Sequence, residues 1–245
     1  FIIKDALDED VYNILNDEYL KIEEYFKKKE LFSKNNIRMQ FNQIDLENMD
    51  IRIPYWQKFM EYHTSITFLD ELVQIFYEDL KRIYPSLLKD LNINKKEYIL
   101  RCQPGINTPV SRKTSVRLPH LDRANTIFSG LFYMKSQNDD SSGGDLLLYK
   151  TIKKKKFYSK SELSNSNSVK TFNKVKYDKN VFICLLNTED SVHSVTPRNK
   201  TNNTRRLVNF ISKTPDERFL FHLDRDTNYL RRIKNKIRDY VFIGR

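Results

Sequence analysis

The feature that most constrains the fold of this 245-residue chain is a series of short β-rich runs between residues 98 and 212. Turn-forming residues separate the runs, as they do in all-β sandwiches and barrels. The predicted strands are 98–103, 115–120, 127–135, 146–150, 181–186, 191–196 and 206–212. A region with this many short strands has to protect its sheet edges, and closed or double-sheet jelly rolls do so.

Segments with helical periodicity lie on both sides of the β-rich region. Apolar residues recur at helical spacing in 8–29 and again in 65–84. Trp56, His63 and the aromatic residues between them are more typical of a helix packed on a core than of a cofactor site. Residues 216–240 predict a basic helix. We expect these helices to pack against the sheets.

The predicted fold class is mainly β with flanking α: a double-stranded β-helix, or cupin-like jelly roll, buttressed by N- and C-terminal helices. The length suits a single domain, 1–245. Within it we expect a helical support (1–90), a jelly-roll catalytic core (91–212) and a C-terminal helical segment (213–245). An insertion at about 151–175 is rich in Lys, Ser and Asn, which predicts an exposed segment.

The chain is strongly basic, with a net charge of +11 and an isoelectric point near 9.4. Such a charge is compatible with a nucleic-acid partner. However, lysines are spread along the whole chain, and the densest cluster, Lys153 to Lys156, lies in the insertion. Runs of like charge are usually solvated surfaces or tails. We therefore do not favour nucleic acid as the partner.

The cysteines and the hydropathy pattern predict a cytoplasmic protein. Cys102 and Cys184 lie in apolar, strand-like segments and make no disulfide framework, so we expect buried thiols in a reducing compartment. No apolar stretch approaches the roughly 20 residues that span a bilayer, and no signal-peptide pattern is present.

His120, Asp122 and His193 form a candidate metal site. Residues i and i+2 of a strand point to one face, so His120 and Asp122 can face a barrel interior while Leu121 faces away. His193 can arrive from a distant strand. Two imidazoles and one carboxylate on one face leave coordination positions open, as in the facial triad of non-haem Fe(II) oxygenases. The sequence therefore predicts Fe(II) as the metal.

A second His-x-Asp pair occurs at His222 and Asp224. A three-residue motif of this kind also arises by chance. No histidine follows the second pair, and the residues after it have a helical pattern. The order of the residues therefore favours the first pair, which His193 follows.

From about residue 98 to residue 212 the chain resembles the Fe(II)/2-oxoglutarate-dependent oxygenases, particularly their prolyl-hydroxylase-like branch. The order of the candidate metal ligands is the specific part of the resemblance, and a glycine pair before a strand is weak by itself. The similar runs are Leu118-Pro119-His120-Leu121-Asp122, Gly130-Leu131-Phe132-Tyr133-Met134, Gly143-Gly144-Asp145-Leu146, Ser191-Val192-His193-Ser194-Val195-Thr196-Pro197 and Arg205-Arg206-Leu207-Val208-Asn209-Phe210.

The resemblance implies Fe(II) on His120, Asp122 and His193, with 2-oxoglutarate and O2 as cosubstrates and ascorbate as an optional reductant. It also implies an arginine on the strand after His193 that holds the distal carboxylate of 2-oxoglutarate, since the guanidinium fork matches a carboxylate. Our choice is Arg206, which alternates with Val208 and Phe210 in a set that could line the barrel. Arg205 is the rival, because a register shift of one residue exchanges the two faces.

Tyr133 is a second candidate for the same carboxylate, and a buried core tyrosine is the alternative interpretation. Ser129 and Leu131 fall on the same strand face as Tyr133 and are expected to line the cosubstrate site. The chain departs from the branch at Met134-Lys135, where Leu-Asn is common, and at Ser194, where an acidic residue is frequent. Substrate identity therefore does not carry over.

The expected function is hydroxylation of an amino acid, a peptidyl residue such as proline, or a small metabolite, with release of succinate and CO2. Two alternatives stay open. A nucleic-acid oxygenase or demethylase would combine the same iron site with the basic surface, and its affinity would fall steeply with salt. A catalytically silent jelly-roll binding module would form no succinate.

Overall fold

A six-stranded antiparallel sheet forms the centre of the protein in a computed structural model that describes residues 1–41, 52–115, 117–152, 158–159, 162–163, 166–215 and 219–221. The strand order is β1-β9-β4-β11-β3-β2. A three-stranded sheet, β10-β5-β8, and a short hairpin, β6-β7, complete the strands of these residues. The strands are β1 (Ile2–Lys4), β2 (Arg38–Gln40), β3 (Ile99–Asn107), β4 (Thr126–Met134), β5 (Leu146–Thr151), β6 (Tyr158–Ser159), β7 (Glu162–Leu163), β8 (Val169–Val175), β9 (Lys179–Leu186), β10 (His193–Val195) and β11 (Arg205–Lys213).

Helices cover one face of the large sheet. They are α1 (Glu9–Lys27), α2 (Pro54–His63), α3 (Ile66–Ile75), α4 (Tyr77–Ile83) and α5 (Pro85–Asn94). The main core lies between them and the sheet, where fully buried Trp56 and Leu69 belong to one apolar cluster with Phe128, Phe132 and Phe210. The expected N-terminal helical support is therefore present. None of the helices within the described ranges combines the length and apolar composition needed to cross a membrane.

The predicted elements differ from the observed ones in three places. Segment 65–84 forms two helices, because the backbone leaves helical geometry at Phe76 (φ −100°, ψ 15°). In 115–120 the described residues form no regular strand: His120 makes isolated bridges, and Pro119 lacks the N–H that a ladder needs. The short strands β1 and β2 were not predicted. Three residues give too little periodicity to detect.

Part of the predicted exposed insertion is a strand. β8 pairs with β5, and its ends Val169 and Val175 are buried, whereas its five central residues are exposed. The lysine cluster Lys153 to Lys156 lies outside the described residues. The same is true of the predicted C-terminal helix apart from residues 219–221, and of His222 and Asp224.

Strand β11 presents alternate residues to the two faces of the large sheet. Val208 and Phe210 belong to the core under the helices, whereas Arg205 and Asn209 line a cavity on the opposite face. The predicted orientation of Arg206, Val208 and Phe210 is therefore wrong, and the register is shifted by one residue. Val208 and Phe210 have apolar side chains, so they pack in the core between the sheet and the helices.

Arg206 joins the sheet to α1 instead of facing the cavity. Its Nη2 lies 2.5 Å from Glu23 Oε2, and its Nη1 donates to Asn16 Oδ1 at 3.0 Å. Both ion-pair side chains are buried, at 6% and 8% exposure. Burial would lower the pKa of Arg206, but the hydrogen bond and charge of Glu23 hold it above its usual value. The pair ties the central strand to the longest helix.

We expect Glu23→Gln to lower the free energy of unfolding by about 3 to 5 kcal/mol, because it leaves the Arg206 charge buried without its counterion. The matched control is Glu24→Gln, since Glu24 forms an exposed pair with Lys27. That variant should change stability by less than about 0.5 kcal/mol. Urea unfolding of the three proteins is the measurement, and equal effects of the two substitutions would contradict a buried ion pair.

His63 is a partly buried histidine that packs against aromatic residues under the helices. Its ring lies 3.9 Å from the Phe59 ring and 4.7 Å from the Phe68 ring, measured between centroids. Burial lowers the pKa of His63 to about 4. An unfolded histidine has a pKa of about 6.5. Between these two pH values the unfolded chain binds a proton that the folded protein does not bind.

The stability contribution of neutral His63 should therefore be complete above pH 6.5 and fall by about 3 kcal/mol as the pH drops to 4. His63→Phe removes the titrating group and keeps an aromatic ring in the cluster. We expect the difference in unfolding free energy between wild type and His63→Phe to shift by that amount over this range. A difference that does not change with pH would exclude the effect.

Candidate metal centre and adjoining cavity

Backbone pairing brings two distant histidines together. The His120 N–H donates to the His193 carbonyl at 2.9 Å, and the His193 N–H donates to the His120 carbonyl at 3.0 Å. Directly paired antiparallel residues point to one face of a sheet. The ring centroids are accordingly 4.3 Å apart. The two histidines are 73 positions apart in the chain, and this pair of hydrogen bonds makes them neighbours.

Each imidazole is oriented through its Nδ1 atom. His120 Nδ1 lies 2.7 Å from the Leu118 carbonyl oxygen, and His193 Nδ1 lies 2.9 Å from the Ser191 carbonyl oxygen. A carbonyl oxygen only accepts, so Nδ1 carries the proton and Nε2 keeps its lone pair. Burial and the neighbouring His193 lower the pKa of His120 to about 3. The ring is thus neutral, which is the form that binds a metal.

Asp122 completes the group. Its Oδ2 lies 3.6 Å from His193 Nε2, and one atom from each of Asp122, His120 and His193 falls within 4.8 Å of the others. Burial would raise the pKa of Asp122, but the two adjacent imidazoles lower it below its usual value. Arg117 also lies beside the carboxylate, with Nη1 3.5 Å from Oδ1. The three residues predicted from the sequence therefore converge as two imidazoles and one carboxylate.

A cavity of about 320 Å³ adjoins these three side chains. Its walls come from the inner face of the large sheet and from the strand that carries His193. The predicted residues Ser129 and Leu131 line it. Tyr133 occupies the same face of β4, fully buried beside Leu207 and Tyr177. Ligand pockets of this size are at the small end of the usual range.

Arg205 is the arginine of β11 that reaches the cavity. Its Nε donates to the Gly144 carbonyl at 2.9 Å, and its Nη1 donates to Asn107 Oδ1 at 3.1 Å. The guanidinium carbon lies 4.8 Å from the centre of the Tyr133 ring. Arg205 Nη2 and the Tyr133 hydroxyl are buried without a hydrogen-bond partner among the described residues. Buried donors of this kind are costly unless a ligand completes them.

The glycine pair has a positional role that its sequence alone did not reveal. Gly143 and Gly144 have φ values of 83° and 80°, which favour glycine. A Cβ on Gly144 would lie 2.9 Å from both Cδ and Nε of Arg205. The turn therefore allows Arg205 to pass close to the backbone and fixes it through the Gly144 carbonyl.

Arg38, Gln40, Gln103, Asn107 and Arg117 also line the cavity, and the sequence reasoning did not identify them. Gln103, Gly105 and Asn107 are each two positions apart in β3. Period-two alternation could therefore have placed Gln103 and Asn107 on the same strand face. β2 is too short for such a signal.

No protein-family model matches this sequence, and no curated protein matches it. A prolyl 4-hydroxylase from Phytophthora capsici matches 96% of this chain and 68% of its own, with 14% identity and a TM-score of 0.51. This chain has the fold of a prolyl 4-hydroxylase. The predicted jelly roll with N-terminal helices is thereby confirmed. A Pseudomonas putida prolyl-4-hydroxylase is also similar, at 11% identity over 87% of this chain and 92% of its own, with a TM-score of 0.47.

We expect His120→Ala and His193→Ala each to abolish tight Fe(II) binding, because two protein ligands would remain in place of three. His222→Ala is the control, as the histidine of the other His-x-Asp pair. Anaerobic equilibrium dialysis with Fe(II) measures the binding. Loss of iron in His222→Ala together with its retention in His193→Ala would identify the other pair as the metal site.

Proposed function

We propose that this protein is an Fe(II)- and 2-oxoglutarate-dependent oxygenase that hydroxylates an amino acid, a peptidyl residue or a small metabolite. One observation carries the proposal. The three candidate metal ligands open into a cavity that also contains a buried arginine, Arg205, with a donor lacking a partner among the described residues. A metal chelator with a distal carboxylate fits both features.

The donor set suits Fe(II). Two imidazoles and one carboxylate on one side leave the opposite coordination positions open. His120, Asp122 and His193 would hold the metal, and the Leu118 and Ser191 carbonyls keep the rings oriented. When bound, Fe(II) with 2-oxoglutarate and O2 supplies the oxidation that yields succinate, CO2 and a hydroxylated product.

Arg205 and Tyr133 would anchor the distal carboxylate of 2-oxoglutarate. Arg205 Nη2 and the Tyr133 hydroxyl offer two buried donors, and the Gly144 and Asn107 contacts hold the guanidinium still. A preoriented fork loses little conformational freedom when it binds a carboxylate. This assignment replaces Arg206, whose side chain is engaged by Glu23 on the other face of the sheet.

The remaining walls would exclude water and position the cosubstrate. Leu131, Leu146, Ile183 and Val195 belong to the apolar part of the lining. They form the part of the cavity that connects β4, β5, β9 and β10. Charged groups interact more strongly where water is excluded. Ser129 lies beside Asp122, and its hydroxyl helps keep the pKa of that carboxyl low.

The proposal is tested by adding Fe(II) and then 2-oxoglutarate to the protein without oxygen. We expect the visible absorption band that accompanies chelation of Fe(II) by a 2-oxo acid, followed by succinate formation when O2 is admitted. Absence of the band would overturn the proposal. A band without any succinate would instead indicate the silent binding module.

The same titration tests the anchor. Arg205→Ala should raise the dissociation constant of 2-oxoglutarate roughly 30- to 1,000-fold, because it removes a charge-assisted contact worth about 2 to 4 kcal/mol. Arg206→Lys is the control, since it keeps a cation opposite Glu23. It should change the constant by less than about threefold. A large increase in the dissociation constant in Arg206→Lys alone would identify Arg206 as the residue that binds the distal carboxylate.

A further inference from the structure

The cavity contains a second group of buried donors, separate from Arg205 Nη2 and the Tyr133 hydroxyl. Arg38 Nε, Gln40 Nε2 and Asn107 Nδ2 are buried and have no hydrogen-bond partner among the described residues. All three residues line the cavity. Asn107 Oδ1 accepts from Arg205 at 3.1 Å, which fixes its Nδ2 as a donor. Buried N–H groups without an acceptor are costly unless a ligand completes them.

The sheet register separates the two groups. Arg38 and Arg205 both pair with Asn107, from opposite sides of β3. Two strand spacings of about 4.8 Å each put their backbones roughly 10 Å apart. Arg205 leans over Tyr133 of β4, whereas Arg38 Nη2 reaches Asn209 Oδ1 at 3.4 Å. The two guanidinium groups therefore end at different positions along β11, Arg205 near its start and Arg38 at Asn209.

The cavity walls differ in the same way. The part near β4 and β9 is apolar, with Leu131 and Ile183, and it connects Arg205 with the metal ligands. The part formed by β2 and β3 is amide-rich and carries the charge of Arg38. Among the described residues, no carboxylate forms an ion pair with Arg38. Burial and the charge of Arg205 lower the pKa of Arg38 to about 10, so it is still a cation at neutral pH.

We propose that Arg38, Gln40 and Asn107 bind a carboxylate of the substrate, so that the protein acts on a small carboxylic acid such as a free amino acid. One guanidinium flanked by two amide donors matches a planar monoanion. The apolar part of the cavity is left for 2-oxoglutarate. This inference rests on the proposed function and specifies its substrate class.

The test uses protein loaded with Zn(II) and saturated with 2-oxoglutarate, which prevents turnover. Free L-amino acids, each compared with its own amide, are the probes, and inorganic phosphate is a separate arm. Ligand-observed NMR titration gives the dissociation constants. We expect at least one acid to bind tenfold or more tightly than its amide. Arg38→Gln should raise the dissociation constant of that acid roughly 10- to 100-fold, to about the value for its amide.

Two further variants keep the result interpretable. Arg38→Lys retains the charge without the fork and should recover part of the affinity. Arg101→Gln removes an exposed arginine of β3, the strand that pairs with β2. This variant should not change the affinity for the acid. The dissociation constant of 2-oxoglutarate should stay within about threefold in all three variants. Thermal unfolding of each variant verifies that it is folded.

Several results would overturn the proposal. They are equal binding of acids and amides, no binding of any acid, tighter binding of phosphate than of every acid, or a 2-oxoglutarate defect in Arg38→Gln as large as that in Arg205→Ala. The last result would assign Arg38 to the cosubstrate. Failure of wild type to bind 2-oxoglutarate refutes the proposed function instead, and the acid titration is then repeated with Zn(II) alone to judge the acid site separately.

Discussion

Strand β11 lies inside the large sheet between β3 and β4, and the two-residue alternation along it divides the protein into core and cavity. Val208 and Phe210 pack under the helices, while Arg205 and Asn209 face the candidate site. A shift of this strand by one residue would exchange its apolar and polar faces. The buried pair of Arg206 and Glu23 connects this strand to α1.

The candidate metal centre depends on a different constraint, the reciprocal backbone hydrogen bonds between His120 and His193. Residues near 120 make only isolated bridges, so this contact places His120 without a continuous strand. Backbone carbonyls then set the orientation of each ring. The positions of the two imidazoles are thus determined by main-chain atoms, which leaves their Nε2 atoms available.

The cavity has an unusual balance of donors and acceptors. Arginine and amide side chains contribute donors at two places, and among the described residues Asp122 is the carboxylate that lines the cavity. Burying so many unmatched N–H groups lowers stability. This loss of stability is expected where bound ligands complete the hydrogen bonds. Two acidic ligands would do so, one at Arg205 and the other at Arg38. The fold is stabilised elsewhere, by the aromatic core under the helices.

The sequence determined the jelly-roll class, the N-terminal helices and the identities of the three converging residues, because strand alternation and helical periodicity are local patterns and the order His-Asp-His is visible along the chain. It also placed Ser129, Leu131 and Tyr133 on one face of β4. It could not decide between Arg205 and Arg206, since each alternates with buried apolar residues along β11, Leu207 for Arg205 and Val208 and Phe210 for Arg206. Only tertiary structure made that choice, because Glu23 is available on the helix side to pair with Arg206. The contribution of Arg38 was equally hidden, since a three-residue strand has no periodicity and its position depends on pairing with β3.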